Sequence, residues 1–371
     1  MPPCRGSLAP KQLCFWAAWF LLSSGPLPTA SQVPIEKIFA GFRSSTAPGA
    51  AVLVVKDGQA VFERGYGVTD LRSMHKIDKD TNFRLASVSK QFTATAVMLL
   101  VQDGRLHYTD RLTEIFPDFP AYGSMITVRN LLNHTSGLLD YEDLLEARYK
   151  NVSKDKIPQI QDAGVLELLK NQTSTKFIPG TKWDYSNSGY AVLAMVVEKT
   201  SGLSFSQFLH DRIFRPLGMR NTIAYEKAKN VVANRAYGHT MIDGTWHETD
   251  QSPTSAVLGD GGIYSSLEDL LKWDRELNRH TLWNESTTRL ALTPVELPNY
   301  SNPGGPLVNY GFGWFLDLYK GNQRMYHNGE TIGFRNTIQR FTTEKLTIIV
   351  LSNRADADAQ AFALQAADLY L

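Results

Sequence analysis

The chain has 371 residues, with 38 lysines and arginines against 37 aspartates and glutamates, for a net charge of +1. This balance excludes the strongly basic surface that nucleic-acid binding requires. The two cysteines, Cys4 and Cys14, lie at the N-terminus, so a domain that begins after them has no disulfides and no thiolate metal site.

The first 31 residues are typical of a secretory signal peptide. Arg5 and Lys11 supply positive charge, residues 13–22 are apolar, and small residues near Ala30 offer a cleavage site. The apolar run is too short to span a bilayer, because a spanning helix takes roughly 20 residues. We therefore expect a secreted or periplasmic protein whose mature chain has no stable membrane insertion. A retained N-terminal anchor is the alternative.

Residues 32–371 are predicted to form one domain with β-rich segments near both ends. Asp57-Gly58 separates two apolar runs in the first segment, as in a β-hairpin. A segment with helical spacing, 357–371, closes the chain. The β-rich runs are 49–66, 334–341 and 346–352.

The middle of the chain, from about 100 to 260, is predicted to be mainly helical. Gly104 and Gly202 act as C-terminal stops for two of its helices. Strands from about 49–66 and 310–353 then form one antiparallel sheet flanked by helices, with the helical region inserted between them. The predicted fold class is therefore α+β. The clearest predicted helices are 87–103, 128–133, 188–200 and 267–278.

The pattern Ser-x-x-Lys occurs at Ser73, Ser87 and Ser153, but only Ser87 opens a strongly apolar helix. A helix N-terminus stabilises developing negative charge, and the Ser87 N–H could serve an oxyanion. Lys90 lies on the same helix face. A lysine buried there loses solvation, which favours its neutral form and lets it accept the serine proton. The alternative is a capping serine followed by a solvated lysine.

Tyr185-Ser186-Asn187 lies between the turn Pro179-Gly180 and a long apolar helix. A loop held at both ends can place a phenol and an amide rigidly in a cleft. Tyr185 would relay a proton to the leaving group, and Asn187 would bind the substrate amide. The alternative is an ordinary tyrosine before a capping asparagine.

His327-Asn328-Gly329 precedes the predicted strand 334–341. Glycine permits close backbone approach to a ligand, so the N–H of Glu330 could be the second oxyanion donor. His327 would place a polar or cationic group beside the nucleophile. A structural histidine is the alternative reading.

Metal and cofactor chemistry find no support in the sequence. The sequence has no His-Glu-x-x-His motif of the kind that binds zinc. It also has no Gly-x-Ser-x-Gly motif, which argues against an α/β-hydrolase. The glycine-rich segment 259–262 follows no strand of a predicted βαβ unit, so it is not a phosphate-binding fingerprint. We predict no metal and no cofactor.

In this order and at these separations, the three motifs resemble the serine β-lactamase and penicillin-binding protein superfamily, in particular its class C β-lactamase and D-alanyl-D-alanine carboxypeptidase branch. The resemblance covers about residues 35–370. It implies an acyl-enzyme on Ser87, a base role shared by Lys90 and Tyr185, and an oxyanion held by the N–H groups of Ser87 and Glu330. Its further signatures are 83–90, 126–138, 179–180 and 259–263.

The third motif bears on the substrate. β-Lactamases of this branch usually carry Lys-Thr-Gly where this chain has His327-Asn328-Gly329, and His-x-Gly resembles the carboxypeptidases and D-aminopeptidases of the family. We therefore expect a small-molecule or peptide substrate, namely D-amino-acid peptides or related amides and esters. The alternatives are a β-lactamase or promiscuous carboxylesterase, and a penicillin-binding sensor that is acylated without turnover.

Overall fold

The computed structural model describes residues 32–153, 156–295, 297 and 309–371. The predicted signal peptide, residues 1–31, lies outside the described residues.

The helices of the described residues begin near the N-terminus and continue to the end of the chain. They are α1 Gln32–Ile38, α2 Lys90–Gln102, α3 Leu112–Ile115, α4 Val128–Leu132, α5 Tyr141–Arg148, α6 Asp162–Lys170, α7 Asn187–Ser201, α8 Phe205–Leu209, α9 Arg215–Leu217, α10 Leu258–Gly261, α11 Leu267–Arg279, α12 Glu285–Ala291 and α13 Ala359–Ala367. Among the shorter turns, a 3-10 turn at Ala86–Ser89 leads into α2, and a π turn at His210–Phe214 joins α8 to α9.

The strands are grouped at the two ends of the domain, with short strands between them. They are β1 Ala50–Lys56, β2 Gln59–Tyr66, β3 Phe83–Arg84, β4 Ile223–Ala224, β5 His239–Ile242, β6 Thr245–Glu248, β7 Ile263–Ser265, β8 Phe315–Tyr319, β9 Asn322–Thr331, β10 Phe334–Phe341 and β11 Leu346–Ser352.

The main sheet has six antiparallel strands in the order β2-β1-β11-β10-β9-β8. Its centre joins the two ends of the domain, because β1 pairs with β11 from Ala50 opposite Ser352 to Lys56 opposite Leu346. The predicted α+β fold, with a sheet built from N- and C-terminal strands, is confirmed.

The central strands read as continuous apolar runs because both faces of the sheet are covered. In β1, Val52 and Val54 pack into one apolar cluster, while Leu53 and Val55 pack into the other. All seven residues of β11 are buried. The cluster containing Val52 also includes residues of α1 and α13, and the larger cluster includes residues of α2, α7 and α11.

The hairpin predicted at Asp57-Gly58 has a two-residue turn. Asp57 has φ 50° and Gly58 has φ 75°, and positive values at both positions are typical of a type I′ turn, whose twist matches that of the flanking strands.

The predicted helices agree with the structure to within a few residues, and Gly104 and Gly202 have φ 70° and 74° at two helix ends. The middle of the chain is less purely helical than predicted. Strands β4, β5 and β6 lie within it, and β7 pairs with both β3 and β4. Such short strands have too few residues to show the two-residue alternation that sequence analysis depends on.

Candidate active site

Ser87 lies in the 3-10 turn that precedes α2, so the α-helix begins at Lys90 and not at the serine as predicted. Ala86, directly before Ser87, has φ 49°. A non-glycine residue in this region costs about 1–3 kcal/mol and persists only where its surroundings impose it. Ala86 and Val88 are buried while Ser87 is partly exposed, so the turn presents the serine hydroxyl at the surface of the core.

The Lys90 side chain is completely buried beside Ser87. Its Nζ lies 3.1 Å from Ser87 Oγ, 2.9 Å from Asn187 Oδ1 and 2.8 Å from the carbonyl oxygen of Asp260. The amine is thus surrounded by three oxygen atoms. The predicted placement of the amine one turn from the serine, facing inward, agrees with the geometry, and the Nζ to Oγ distance allows direct proton transfer.

Tyr185 is brought to the same place by the loop before α7. Ser186 caps that helix, since its Oγ accepts from the Gly189 N–H at 3.0 Å, and Asn187 is the first helical residue. Lys90 Nζ lies 5.0 Å from the centre of the Tyr185 ring. The Tyr185 hydroxyl is buried and has no hydrogen-bond partner among the described residues, so its hydrogen-bonding capacity is unused.

His327 lies inside β9, not just before the C-terminal strands as predicted. Its Nδ1 donates to the Asn328 carbonyl oxygen at 2.6 Å, and its Nε2 accepts from the Tyr310 hydroxyl at 3.1 Å. Burial, and then the nearby charge of Lys90, lower the pKa of His327 to about 3. Of the two expected forms, polar or cationic, this environment favours the neutral polar one, and the His327 ring lies 6.2 Å from the Tyr185 ring, centre to centre.

Gly329 allows β9 to pass directly against the serine turn. A Cβ added at this position would lie 2.0 Å from the Leu85 carbonyl oxygen, which no larger residue could tolerate. Strand β8 pairs with β9 only as far as Tyr326. The edge of β9 that carries Gly329 and Glu330 is thus left unpaired by β8, as an extended substrate would need. The role of the Glu330 N–H as an oxyanion donor stays a prediction.

The cleft at Ser87 also carries two acidic side chains, of which Glu142 was not selected from the sequence and Glu330 was selected only for its backbone N–H. Glu142 of α5 and Glu330 of β9 line it together with Ser87 and Asn187. Desolvation, reinforced by the charge of Asp260, raises the pKa of Glu142 to about 7. Ionisation of Glu142 around neutral pH therefore adds one negative charge to the cleft, whereas Glu330 is paired with Arg335 at 3.6 Å.

The backbone that holds Lys90 belongs to the glycine-rich segment 259–262, for which the sequence indicates no role. Asp260, in α10, accepts from Lys90 through its carbonyl oxygen and from the Tyr141 hydroxyl through Oδ2 at 2.8 Å. Asp162 accepts from the N–H groups of Leu258 and Gly259 at 2.8 and 2.9 Å. The glycine-rich segment 259–262 thus supports the Lys90 amine. The feature of the sequence that could have indicated this role is the group of glycines around Asp260.

An aromatic cluster surrounds the phenol and the imidazole. Its ring centres lie between 4.4 and 6.5 Å apart for neighbouring members. Sequence analysis missed most of this cluster, because its members come from distant segments. They are His134, Trp183, Tyr185, Tyr190, Tyr310, Phe315 and His327.

Within the described ranges, no three histidine, cysteine or acidic side chains gather into a set that could hold a metal ion. None of the helices in the same ranges is long and apolar enough to cross a membrane.

The geometry can be compared with known proteins. The Beta-lactamase family matches residues 35–370. The chain belongs to this family. The recognised superfamily is therefore confirmed, and membership of its class C branch stays a prediction. As a beta-lactamase family member with a buried lysine beside an accessible serine, the chain is a serine hydrolase.

Two curated relatives and one solved structure illustrate the similarity. Penicillin-binding protein 4* of Bacillus subtilis is 31% identical over 85% of this chain and 71% of its own length. A D-aminopeptidase of Cereibacter sphaeroides is 30% identical over 87% of this chain, which spans 60% of that relative. The crystal structure of a penicillin-binding protein from Bacillus halodurans has TM-score 0.73 and 25% identity, over 90% of this chain and 97% of that one.

Proposed function

We propose that this beta-lactamase family member hydrolyses amide bonds of D-amino-acid peptides and amides through an acyl-enzyme on Ser87. The observation that carries the proposal is the buried Lys90 amine, 3.1 Å from Ser87 Oγ and held by Asn187 and Asp260. An amine fixed in this way can activate a serine without a histidine base.

In the first half of the reaction, Ser87 Oγ attacks the carbonyl carbon and its proton passes to Lys90 or Tyr185. The N–H groups of Ser87 and Glu330 hold the oxyanion of the tetrahedral intermediate. When the C–N bond breaks, the departing amine takes the proton back through the Tyr185 hydroxyl. Water then attacks the carbonyl carbon of the ester on Ser87 and gives up a proton to Lys90 or Tyr185. When the bond from that carbon to Ser87 Oγ breaks, Oγ takes this proton back, and the acid leaves the regenerated serine.

The carboxyl group of Glu142 in the cleft supports a substrate with a free amino group. His327 is neutral, so the third motif offers no cation of the kind that Lys-Thr-Gly would supply. Glu142 and Glu330 line the cleft. Arg84 lies in the same wall, where its Nε and one terminal nitrogen donate to the carbonyl oxygens of Gly261 and Ser255. Its other terminal nitrogen is buried without a hydrogen-bond partner among the described residues, so this wall also offers a cation, and the assay of the anilide beside the D-Ala-D-Ala peptide distinguishes the two preferences. The D-aminopeptidase relative is consistent with this preference.

A substrate panel tests the proposal. We would assay D-alanine p-nitroanilide, a peptide ending in D-Ala-D-Ala, nitrocefin and p-nitrophenyl acetate with the wild type and Ser87→Ala. The matched control is Ser73→Ala, which removes the exposed serine of another Ser-x-x-Lys pattern. We expect the anilide to be the best substrate and Ser87→Ala to be inactive but folded. Turnover by Ser87→Ala at the wild-type rate would refute the acyl-enzyme mechanism.

The same panel separates the other candidate functions. Preference for nitrocefin or for the ester would identify a β-lactamase or a carboxylesterase on this scaffold. A penicillin-binding sensor would release one equivalent of product and stop, whereas an enzyme continues after the burst.

We also propose that the chain is exported by way of residues 1–31. The sequence of this segment, with a charged start and an apolar run, supports the proposal. N-terminal sequencing of the protein expressed in its full-length form in a Gram-negative host, with recovery from the periplasm, would test it. An intact N-terminus in the cytoplasmic fraction would contradict export.

A further inference from the structure

His134 is a buried residue for which the proposed reaction has no use. It follows α4, is fully inaccessible to solvent and has φ 62°. A left-handed conformation is costly for a residue with a side chain, so the surrounding structure must impose it. The reason lies in what His134 contacts.

His134 binds the backbone on both sides of Tyr185. Its carbonyl oxygen accepts from the Asp184 N–H at 3.0 Å, and its Nδ1 accepts from the Ser186 N–H at 3.0 Å. The two rings also pack together, with centres 4.4 Å apart and planes inclined by 36°. Tyr185 lies between these two amides. It is therefore held by the backbone on both sides and by the contact of its own ring.

The contacts of His134 belong to a longer backbone pairing. The Gly180 N–H donates to the Thr135 carbonyl oxygen at 2.8 Å, and the Lys176 N–H donates to that of Gly137 at 2.7 Å. The segment 134–137 thus supports the whole loop that leads to Tyr185. His134 is the member of this segment whose side chain joins the pairing.

The protonation state of His134 follows from its contacts. Since Nδ1 accepts a hydrogen bond, the ring proton is on Nε2. Burial, and then the charge of Lys90, lower the pKa of His134 well below its usual value, so the ring is neutral and keeps its acceptor at working pH. A protonated ring would lose that acceptor and release the Ser186 N–H.

The phenol depends on this support because it makes no bond of its own. The Tyr185 hydroxyl has no hydrogen-bond partner among the described residues. On its other side the ring faces Phe315, with planes inclined by 9° and centres 6.2 Å apart. Ring packing and the backbone bonds to His134 therefore determine where the hydroxyl lies relative to Ser87.

We propose that His134 is a positioning residue that holds Tyr185 at the reacting atoms through its two bonds to the Asp184 and Ser186 amides. The inference rests on the proposed role of Tyr185 in proton transfer. A displacement of a reacting group by about 1 Å can lower the rate about 100-fold, so loss of the acceptor should appear in kcat.

Two variants isolate the acceptor. His134→Asn and His134→Gly both tolerate a positive φ and both remove the ring, but only asparagine offers an oxygen near the position of Nδ1. We expect His134→Gly to lower kcat about 100-fold with KM nearly unchanged, and His134→Asn to restore most of that loss. Near-ultraviolet circular dichroism gives the folded fraction of each variant. If kcat falls equally in the two variants, and only as much as the folded fraction falls, the proposal is overturned.

A double-mutant cycle with Tyr185→Phe separates this inference from the proposed function. If His134 acts through Tyr185, its substitution costs little further activity in the Tyr185→Phe background. If substitution of His134 lowers kcat by the same factor in the wild-type and Tyr185→Phe backgrounds, the positioning role is overturned while the role of Tyr185 stays intact. Wild-type kcat in Tyr185→Phe alone would instead refute the role of Tyr185. If the glycine variant does not fold, the same cycle with His134→Asn decides the question.

Discussion

Lys90 shows how one buried side chain can combine structural and chemical roles. Its amine reaches the nucleophile, the amide of Asn187 and a carbonyl oxygen of α10 at 2.8–3.1 Å. The residue therefore links the serine turn, α7 and α10. Substitution of Lys90 should affect both the rate of acylation and the stability of the fold, and the two effects can be measured separately.

We expect Lys90→Met to lower the rate of Ser87 acylation by about 10²–10⁴-fold, the usual contribution of a general base. The variant also leaves Asn187 Oδ1 and the Asp260 carbonyl without their donor, at about 1–3 kcal/mol each. Labelling of Ser87 by a fluorophosphonate gives the rate, and urea unfolding gives the stability. The exposed Lys182→Met is the control, and wild-type labelling by Lys90→Met would contradict the base role.

The neutral state of His327 predicts a dependence of stability on pH. In the unfolded chain histidine binds a proton below about pH 6.5, whereas folded His327 stays neutral down to about pH 3. Between these values the unfolded state binds more protons, so the free energy of unfolding falls as the pH falls, by up to about 1.4 kcal/mol per pH unit.

The variant His327→Gln should therefore show a shallower loss of stability between pH 6 and about pH 4 than the wild type. His247→Gln, at an exposed histidine, should follow the wild-type slope. Urea unfolding at several pH values measures both. An identical slope in His327→Gln would mean that His327 is protonated in the folded protein.

At the scale of elements, the site is formed where β9 meets the turn before α2. The approach of these two backbones requires a residue without a side chain at Gly329, because a Cβ there would meet the Leu85 carbonyl oxygen at 2.0 Å. The same contact places the unpaired edge of β9 beside Ser87. Strand and turn must therefore keep their spacing for the oxyanion site to form.

We expect Gly329→Ala to lower kcat/KM by about 100-fold or more, because β9 must move away from Ser87 to accommodate the methyl group. Gly41→Ala is the control, since a Cβ at that position meets no atom within 4 Å. Steady-state kinetics and thermal unfolding measure the two variants. Wild-type activity in Gly329→Ala would show that the contact is not needed for catalysis.

At the scale of the whole molecule, the sheet separates a functional face from a supporting one. Cluster residues of α2 and α7 lie on the side of the catalytic groups, and α13 covers the opposite face. Asn353 joins distant segments, since its Oδ1 accepts from the Gly49 N–H at 2.8 Å and its Nδ2 donates to the Tyr237 carbonyl oxygen at 3.0 Å. Folding must therefore bring both ends of the domain together, at a cost in loop-closure entropy.

Ala363, on α13, is fully buried against the sheet. We expect Ala363→Glu to lower the free energy of unfolding by about 3–5 kcal/mol, because it places an unpaired charge in the core. The activity per folded molecule should not change, since α13 lies across the sheet from Ser87. Gln365→Glu, at an exposed position of the same helix, is the control. Urea unfolding midpoints and active-site titration measure both variants. Equal midpoints in Ala363→Glu and Gln365→Glu would contradict the packing of α13 against the sheet.

Interactions between residues close in sequence account for the features that could be predicted from the sequence. The hairpin at Asp57-Gly58, the helix stops at Gly104 and Gly202, and the proximity of Ser87 to Lys90 depend on backbone preferences and helical spacing within a few residues. Tyr185 and His327 could be selected from their local surroundings, but their meeting with Ser87 followed only from the resemblance to a known family. The proximity of Ser87 to Lys90 was predictable because residues three apart lie on one face of a helix, and the 3-10 turn that holds Ser87 keeps this spacing.

The sequence by itself determined the long strands β1, β2, β10 and β11, the clearest helices and the chemistry-bearing side chains, since each depends on short-range spacing. Tertiary structure alone decided the neutral state of His327 and the place of that residue within β9. It also decided the support of Lys90 by Asp260 and the hydrogen bonds of His134 to the loop around Tyr185. These features depend on burial and on contacts between segments tens to hundreds of residues apart. Solvation and long-range hydrogen bonds are properties of the folded molecule, so no local pattern encodes them.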